Sequence, residues 1–169
     1  AKMGAARPKG YSTTQIMLHW SVATLVIFQF FLNDGIGDAW RAYTGGEPAS
    51  EEQLAGANVH VIIGLVILAL ALWRVVLRLM RGAPPPPENE PPLLRRVASA
   101  THFALYALII LVPVSGATAW FLGVEAASRG HGVTRALLFI LACLHIAGAL
   151  VQLLVFRSNV FTRMLMTKD

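Results

Sequence analysis

The chain has 169 residues, of which 56% are hydrophobic and only 14% charged, where a soluble domain carries roughly a quarter charged residues. So few charges cannot cover the surface of a soluble protein of this size. So high an apolar content excludes intrinsic disorder, and the single cysteine, Cys143, excludes a disulfide scaffold. The net charge of +5 falls between long apolar runs and forms no single basic patch, which speaks against nucleic acid. The composition is that of an integral membrane protein.

Four stretches are long and apolar enough to cross a bilayer as helices, which takes about 20 residues. They are 14–33, 57–79, 98–122 and 133–156. Each is apolar nearly all round, as a bilayer helix is and a surface helix is not. The first lacks a small-residue cleavage site and is read as a span, not as a signal peptide. The third contains Pro113, a kink that membrane helices tolerate. Between the spans lie a Gly- and Pro-containing loop at 34–56, a stiff "GAPPPPENEPP" linker at 82–92 and a short turn at 123–132. The expected architecture is one all-α membrane domain, a four-transmembrane-helix up-and-down bundle.

Basic residues set the orientation. One side carries eleven of them, from Lys2 to Lys168, and is net +8; the other carries Arg41, Arg129 and Arg135 and is net −3. Both termini are therefore expected in the cytoplasm.

His19, His60, His102 and His145 fall one in each span, 41, 42 and 43 residues apart. A single histidine in a span reads as a buried residue bonded across a helix interface. Four of them, with almost no other buried ionisable group, read as ligands of a shared cofactor. Zinc is disfavoured, because the spans lack carboxylates and helical depth spreads the four apart. Haem takes axial histidines, so four ligands make two haems. The Cys-x-x-Cys-His attachment motif is absent, so the haems are expected to be non-covalent b type.

Depth suggests the pairing. His19 and His102 lie about 15 and 9 Å from the cytoplasmic flank at 1.5 Å per residue, and His60 about 12 Å from the external one. His145, ten residues after Arg135 and so about 15 Å from the external flank, is nearly central and is left to His60. The sequence reading thus pairs His19 with His102 at the cytoplasmic haem iron, and His60 with His145 at the periplasmic one. Small residues near the ligands, among them Gly64, Gly116 and Gly148, read equally as haem clearance and as close helix packing. Phe103, Tyr106 and Trp20 read as core or lipid-facing aromatics before porphyrin contacts.

Irons with two histidines have no open site, which favours electron transfer over oxygen chemistry. A lipid-soluble quinone is the natural membrane partner, with Gln15, four residues before His19, as a candidate contact. Arg129, His131 and Arg135, near the start of the fourth span, are candidate contacts for haem propionates or for an anionic donor. Arg74, Arg78, Arg95 and Arg96 read first as topology determinants.

The pieces "YSTTQIMLHW" at 11–20, "NVHVIIGLVILALALWRVVLRL" at 58–79, "THFALYALIILVPVSG" at 101–116, "LHIAGAL" at 144–150 and "NVFTRML" at 159–165 resemble the bacterial cytochrome b561 family in order and spacing. The resemblance spans about 11–166 and is closest to the stand-alone superoxide oxidase branch. It implies two b haems on His19, His60, His102 and His145, location in the bacterial inner membrane, and electron transfer from periplasmic superoxide to ubiquinone. The alternative is a cytochrome b subunit relaying electrons from a periplasmic dehydrogenase, hydrogenase or other redox protein. A haem-free transporter or structural protein is disfavoured, since the spans show no transport-like buried acid or lysine.

Overall fold

The computed structural model describes residues 8–31, 35–88 and 90–167. It is all-α: α1 Thr13–Phe31, α2 Gly35–Gly45, α3 Glu51–Arg81, α4 Pro92–Leu122, α5 Glu125–Leu154 and a 3-10 turn at Thr162–Met164. Helices α1, α3, α4 and α5 are the four long enough and apolar enough to cross a membrane. At 31 residues, α3 and α4 are each about 46 Å long, so their ends stand clear of a hydrocarbon core of about 30 Å.

Local chemistry sets the helix ends. Ser50 caps α3 by accepting from Gln53 N–H at 3.2 Å, and Gln53 Oε1 accepts from Ser50 N–H at 2.9 Å. Arg78 and Arg81 sit in the last turn of α3, against the negative end of its dipole. Pro92 opens α4, where its missing N–H costs nothing. Gly123 closes α4 at φ 66°, and its N–H reaches Ala119 O at 3.0 Å. Only Gly123 and Val124 separate α4 from α5, so these two helices are forced antiparallel and adjacent.

Around the bundle α1 packs on α3, α3 on α4 and α4 on α5. Phe30 and Phe31 against Phe139, at ring distances of 5.3 and 6.3 Å, close the ring between α1 and α5. The shared core is narrow: Ala71, Leu108, Ile109 and Leu138 are buried, with Val26 and Leu105 packed against them. The outer faces are apolar instead, with Ile62, Leu72, Phe103 and Ile140 all exposed. Patches of that extent would drive aggregation in water; here lipid covers them.

One end of the bundle gathers the start of α1, the end of α3, the linker and the C-terminal segment; we call it the terminal face. Gln15 Nε2 donates to Gly82 O (3.2 Å), Arg163 to Pro85 O (2.7 Å) and Trp20 Nε1 to Met164 O (2.7 Å). The opposite end carries α2 and is called the α2 face.

Two segments depart from the sequence reading. The loop expected at 34–56 holds α2, in which Ala39 is buried while Asp38 and Arg41 pair on the outside. Its glycines suggested a loop, yet each costs a helix only about 1 kcal/mol, which packing against α3 offsets. The turn expected at 123–132 is two residues long, because α5 starts at Glu125, eight residues before the expected span. Gly130 and Gly132 sit inside that first part of the helix, supported by α4 alongside.

Enlarging the core tests this packing. Ala71→Leu adds volume where Leu108, Ile109 and Leu138 already meet, and is expected to cost about 1–3 kcal/mol. The measurement is a lower thermal midpoint in detergent, with Leu79→Ala on the lipid-facing surface changing stability by less than about 0.5 kcal/mol.

Candidate functional site

Five histidines collect into two groups at opposite ends of the bundle. On the α2 face the ring of His60, from α3, stands 6.1 Å from that of His131, from α5, with the planes at 82°. On the terminal face His145, from α5, stands 6.1 Å from His19 of α1 and 5.1 Å from His102 of α4. His131 and His145 are 14 residues apart, close to four helical turns, so both lie on one face of α5 about 21 Å apart along its axis.

This corrects the pairing expected from depth. His145 sits with His19 and His102, and the ring facing His60 is that of His131. The depth estimate took Arg135 as the edge of the membrane, whereas α5 begins ten residues earlier, at Glu125. Measured from the true helix ends, His145 is about 30 Å from the start of α5 and about 14 Å from its end. The ring beside His60 is that of His131, expected near the start of the fourth span as a contact for haem propionates or an anionic donor. Its signal was present in the sequence: a 14-residue spacing puts two side chains on one helical stripe.

The α2-face pair lines a largely apolar cavity of about 130 Å³ that opens to the outside. Trp40 from α2, Trp120 and Pro113 from α4, and Gly64 from α3 complete the wall. His131 Nδ1 lies 2.8 Å from Val112 O. A carbonyl only accepts, so Nδ1 carries the proton and Nε2 keeps its lone pair. His60 Nδ1 is buried without a hydrogen-bond partner among the described residues. A buried polar atom left open beside a cavity marks a place for a group other than a side chain. Gln29 Nε2 donates to His60 O at 2.8 Å and ties that turn of α3 to α1.

On the terminal face the Arg74 guanidinium stands 3.2 Å from His19 Nδ1 and 5.3 Å over the Tyr106 ring. A guanidinium only donates, so the lone pair at that nitrogen is engaged. A narrow crevice beside it is lined by Tyr11, Gln15, Arg74, Arg78, Tyr106 and Met164. Gln15 is in this crevice, but its side chain also holds α1 to Gly82 at the end of α3 and accepts from Ser12 N–H at 3.0 Å.

The three residues expected near an anionic donor separate. His131 and Arg135 line the α2-face cavity. Arg129 points to the surface and pairs with Glu125 at 2.6 Å, both largely exposed. Among the described residues no three His, Cys, Asp or Glu side chains come together as a chelating cluster for a bare metal ion. The histidine rings meet edge to face, with planes 68–82° apart.

The profile of the prokaryotic cytochrome b561 family matches residues 10–166. The chain is 33% identical over 156 residues to cytochrome b562 of Cereibacter sphaeroides, the match covering 92% of this chain and 95% of that protein. It is 31% identical over 108 residues to the probable superoxide oxidase CybB of Yersinia pestis, covering 64% of this chain and 56% of the relative. It is 28% identical over 109 residues to cytochrome b561 homolog 2 of Escherichia coli K12, covering 64% and 54%.

Proposed function

The chain belongs to the prokaryotic cytochrome b561 family, and on that premise we propose that it holds two b haems and carries electrons from superoxide at the α2 face to ubiquinone in the bilayer. The chain is a multi-pass electron-transfer protein of the bacterial inner membrane. In the proposed orientation the basic terminal face is cytoplasmic and the α2 face periplasmic.

One observation carries the haem assignment: two pairs of imidazoles, each with ring centres 6.1 Å apart, one near each end of the bundle. Two imidazoles that would hold one metal ion between them, at nitrogen–metal distances of about 2.0–2.1 Å, would have ring centres up to roughly 6.4 Å apart. His60 with His131 and His19 with His145 fit that spacing. His102 and His145, at 5.1 Å, fall further short of it. The proposed ligands are therefore His60 and His131 on the α2 face, and His19 and His145 on the terminal face. His102 lies beside the second pair without belonging to it.

Bound haem would supply one-electron chemistry. The chain supplies the rest. Val112 O holds the proton of His131 on Nδ1 and leaves Nε2 for the metal. Trp40, Trp120 and aliphatic side chains make the cavity wall largely apolar. Arg135 puts a positive charge beside it, where an anion such as superoxide would arrive. Each superoxide leaves as dioxygen after giving up one electron, and one quinone takes two electrons and two protons to become the quinol. The superoxide assignment is supported by the similarity to the Yersinia pestis protein.

The first test is haem content of the purified protein, with a reduced-minus-oxidised spectrum after exposure to a superoxide generator. Two b haems, reduced by superoxide and reoxidised by a soluble ubiquinone analogue, are expected. Two haems inert to superoxide would shift the donor to a docked redox protein, and a colourless preparation would overturn the reading of the histidines.

Variants separate the ligand sets. His60→Ala and His131→Ala are expected to remove the same haem and leave a single one. His19→Ala and His145→Ala remove the other, and His102→Ala retains both; loss of a haem in His102→Ala would restore the ligand set expected from spacing.

Charge variants test the approach of the donor. Arg135→Gln is expected to slow superoxide oxidation, more at low ionic strength than at high. Arg129→Gln has the smaller effect, since Glu125 already offsets that charge. Equal effects of Arg135→Gln at both ionic strengths would dismiss steering.

A further inference from the structure

We infer that Gly116 and the Val112 carbonyl form a seat for the His131 imidazole that tunes the reduction potential of the α2-face redox centre. The inference rests on the reading of His60 and His131 as one ligand pair.

Residues 112, 115 and 116 of α4 share one helical face, and all three meet His131. Val112 O accepts from His131 Nδ1 at 2.8 Å and from Ser115 Oγ at 2.9 Å. Ser115 Oγ lies 3.5 Å from the same Nδ1. A Cβ at position 116 would stand 3.0 Å from both Nδ1 and Cε1 of the ring. The Nδ1–Cε1 edge of the imidazole therefore lies against α4 at the one residue without a side chain. Any side chain there must push the ring away, and the 2.8 Å bond leaves no slack for the ring to move without stretching it.

The bond has an electronic consequence. An N–H that donates to a carbonyl raises the basicity of the ligating nitrogen of the same ring. A more basic ligand favours oxidised iron and lowers the potential. Gly116 is thus a positioning residue acting through His131. Ser115 competes for the same carbonyl oxygen and tempers the effect. The two substitutions therefore act in opposite directions, which a purely structural role does not produce.

The test is a potentiometric titration of the purified holoprotein, following the haem absorption bands. His131→Ala first identifies the α2-face component as the one that disappears. Gly116→Ala is expected to raise the midpoint of that component and leave the other in place. Ser115→Ala is expected to lower the midpoint of that same component. If Gly116→Ala loses haem outright, the direction of the Ser115→Ala shift decides. An unmoved or raised midpoint in Ser115→Ala overturns the seat, as does an unmoved midpoint in Gly116→Ala, while the ligand pair stands on the His131→Ala result. Retention of both haems in His131→Ala is a different failure: it removes the ligand pair itself, and the tuning role with it.

Discussion

The architecture depends on the pitch of one helix. Fourteen residues of α-helix complete almost four turns, so His131 and His145 leave α5 from the same side, about 21 Å apart along its axis. Under the proposed ligand sets, a redox centre built on each would take its second ligand from another helix at the matching height. Antiparallel packing provides this. His60 lies nine residues into α3, which starts at the α2 face, and His19 lies six residues into α1, which starts at the terminal face. Each comes level with the α5 histidine nearest its own end. The α2-face pair joins helices that face each other diagonally across the bundle. The terminal-face pair joins neighbours that touch directly.

The two ends are not equally prepared. On the α2 face the proton of His131 is already held on Nδ1, a glycine makes room for the ring, and a cavity lies alongside. On the terminal face the Arg74 guanidinium occupies the lone pair of His19 Nδ1. A ligand role for His19 through that nitrogen requires Arg74 to withdraw. Among the described residues the only ion pairs are Arg41–Asp38 and Arg129–Glu125, so a withdrawn Arg74 has no carboxylate partner waiting. A cation without a partner in a low-dielectric bundle is costly, and carboxylate groups on a bound cofactor would relieve that cost. Polar ties from Gln15, Trp20 and Arg163 hold the surrounding segments in place without using the histidines.

The sequence carried the four helices and the cofactor chemistry in different ways. Long apolar runs have one physical solution in lipid, since every backbone group must bond within its own helix. The bundle was therefore legible from composition and length alone. The histidine partners were not, because pairing depends on where each helix begins. Apolar windows mark only the part in the hydrocarbon. The polar opening of α5, "EAASRGHGVTR", reads as a turn until it is seen packed along α4. Starting the span at Val133 left His131 outside it and made Arg135 a false depth marker. The same cause hid α2, whose three glycines mask an apolar face set by Ile36, Ala39 and Trp40. Gly116 was visible as a small residue near the ligands, but which ring it admits required the fold.

The charge at the α2 face resolves in the same way. Counted along the sequence, that side is net acidic, which opposes the approach of an anion. In the structure Asp38 and Glu125 are each matched by an arginine on the outer surface. Such exposed pairs add little stability, but they cancel each other's field within a few ångströms. Of the side chains lining the cavity, Arg135 is the one with a formal charge. An approaching anion therefore meets a local potential opposite in sign to the average of the face. Field lines concentrate where low-dielectric walls surround a charge, and the walls here are tryptophan, proline and aliphatic groups. Sequence counting sums charges over a whole side of the membrane, whereas an anion within a Debye length of about 8 Å responds to the nearest ones.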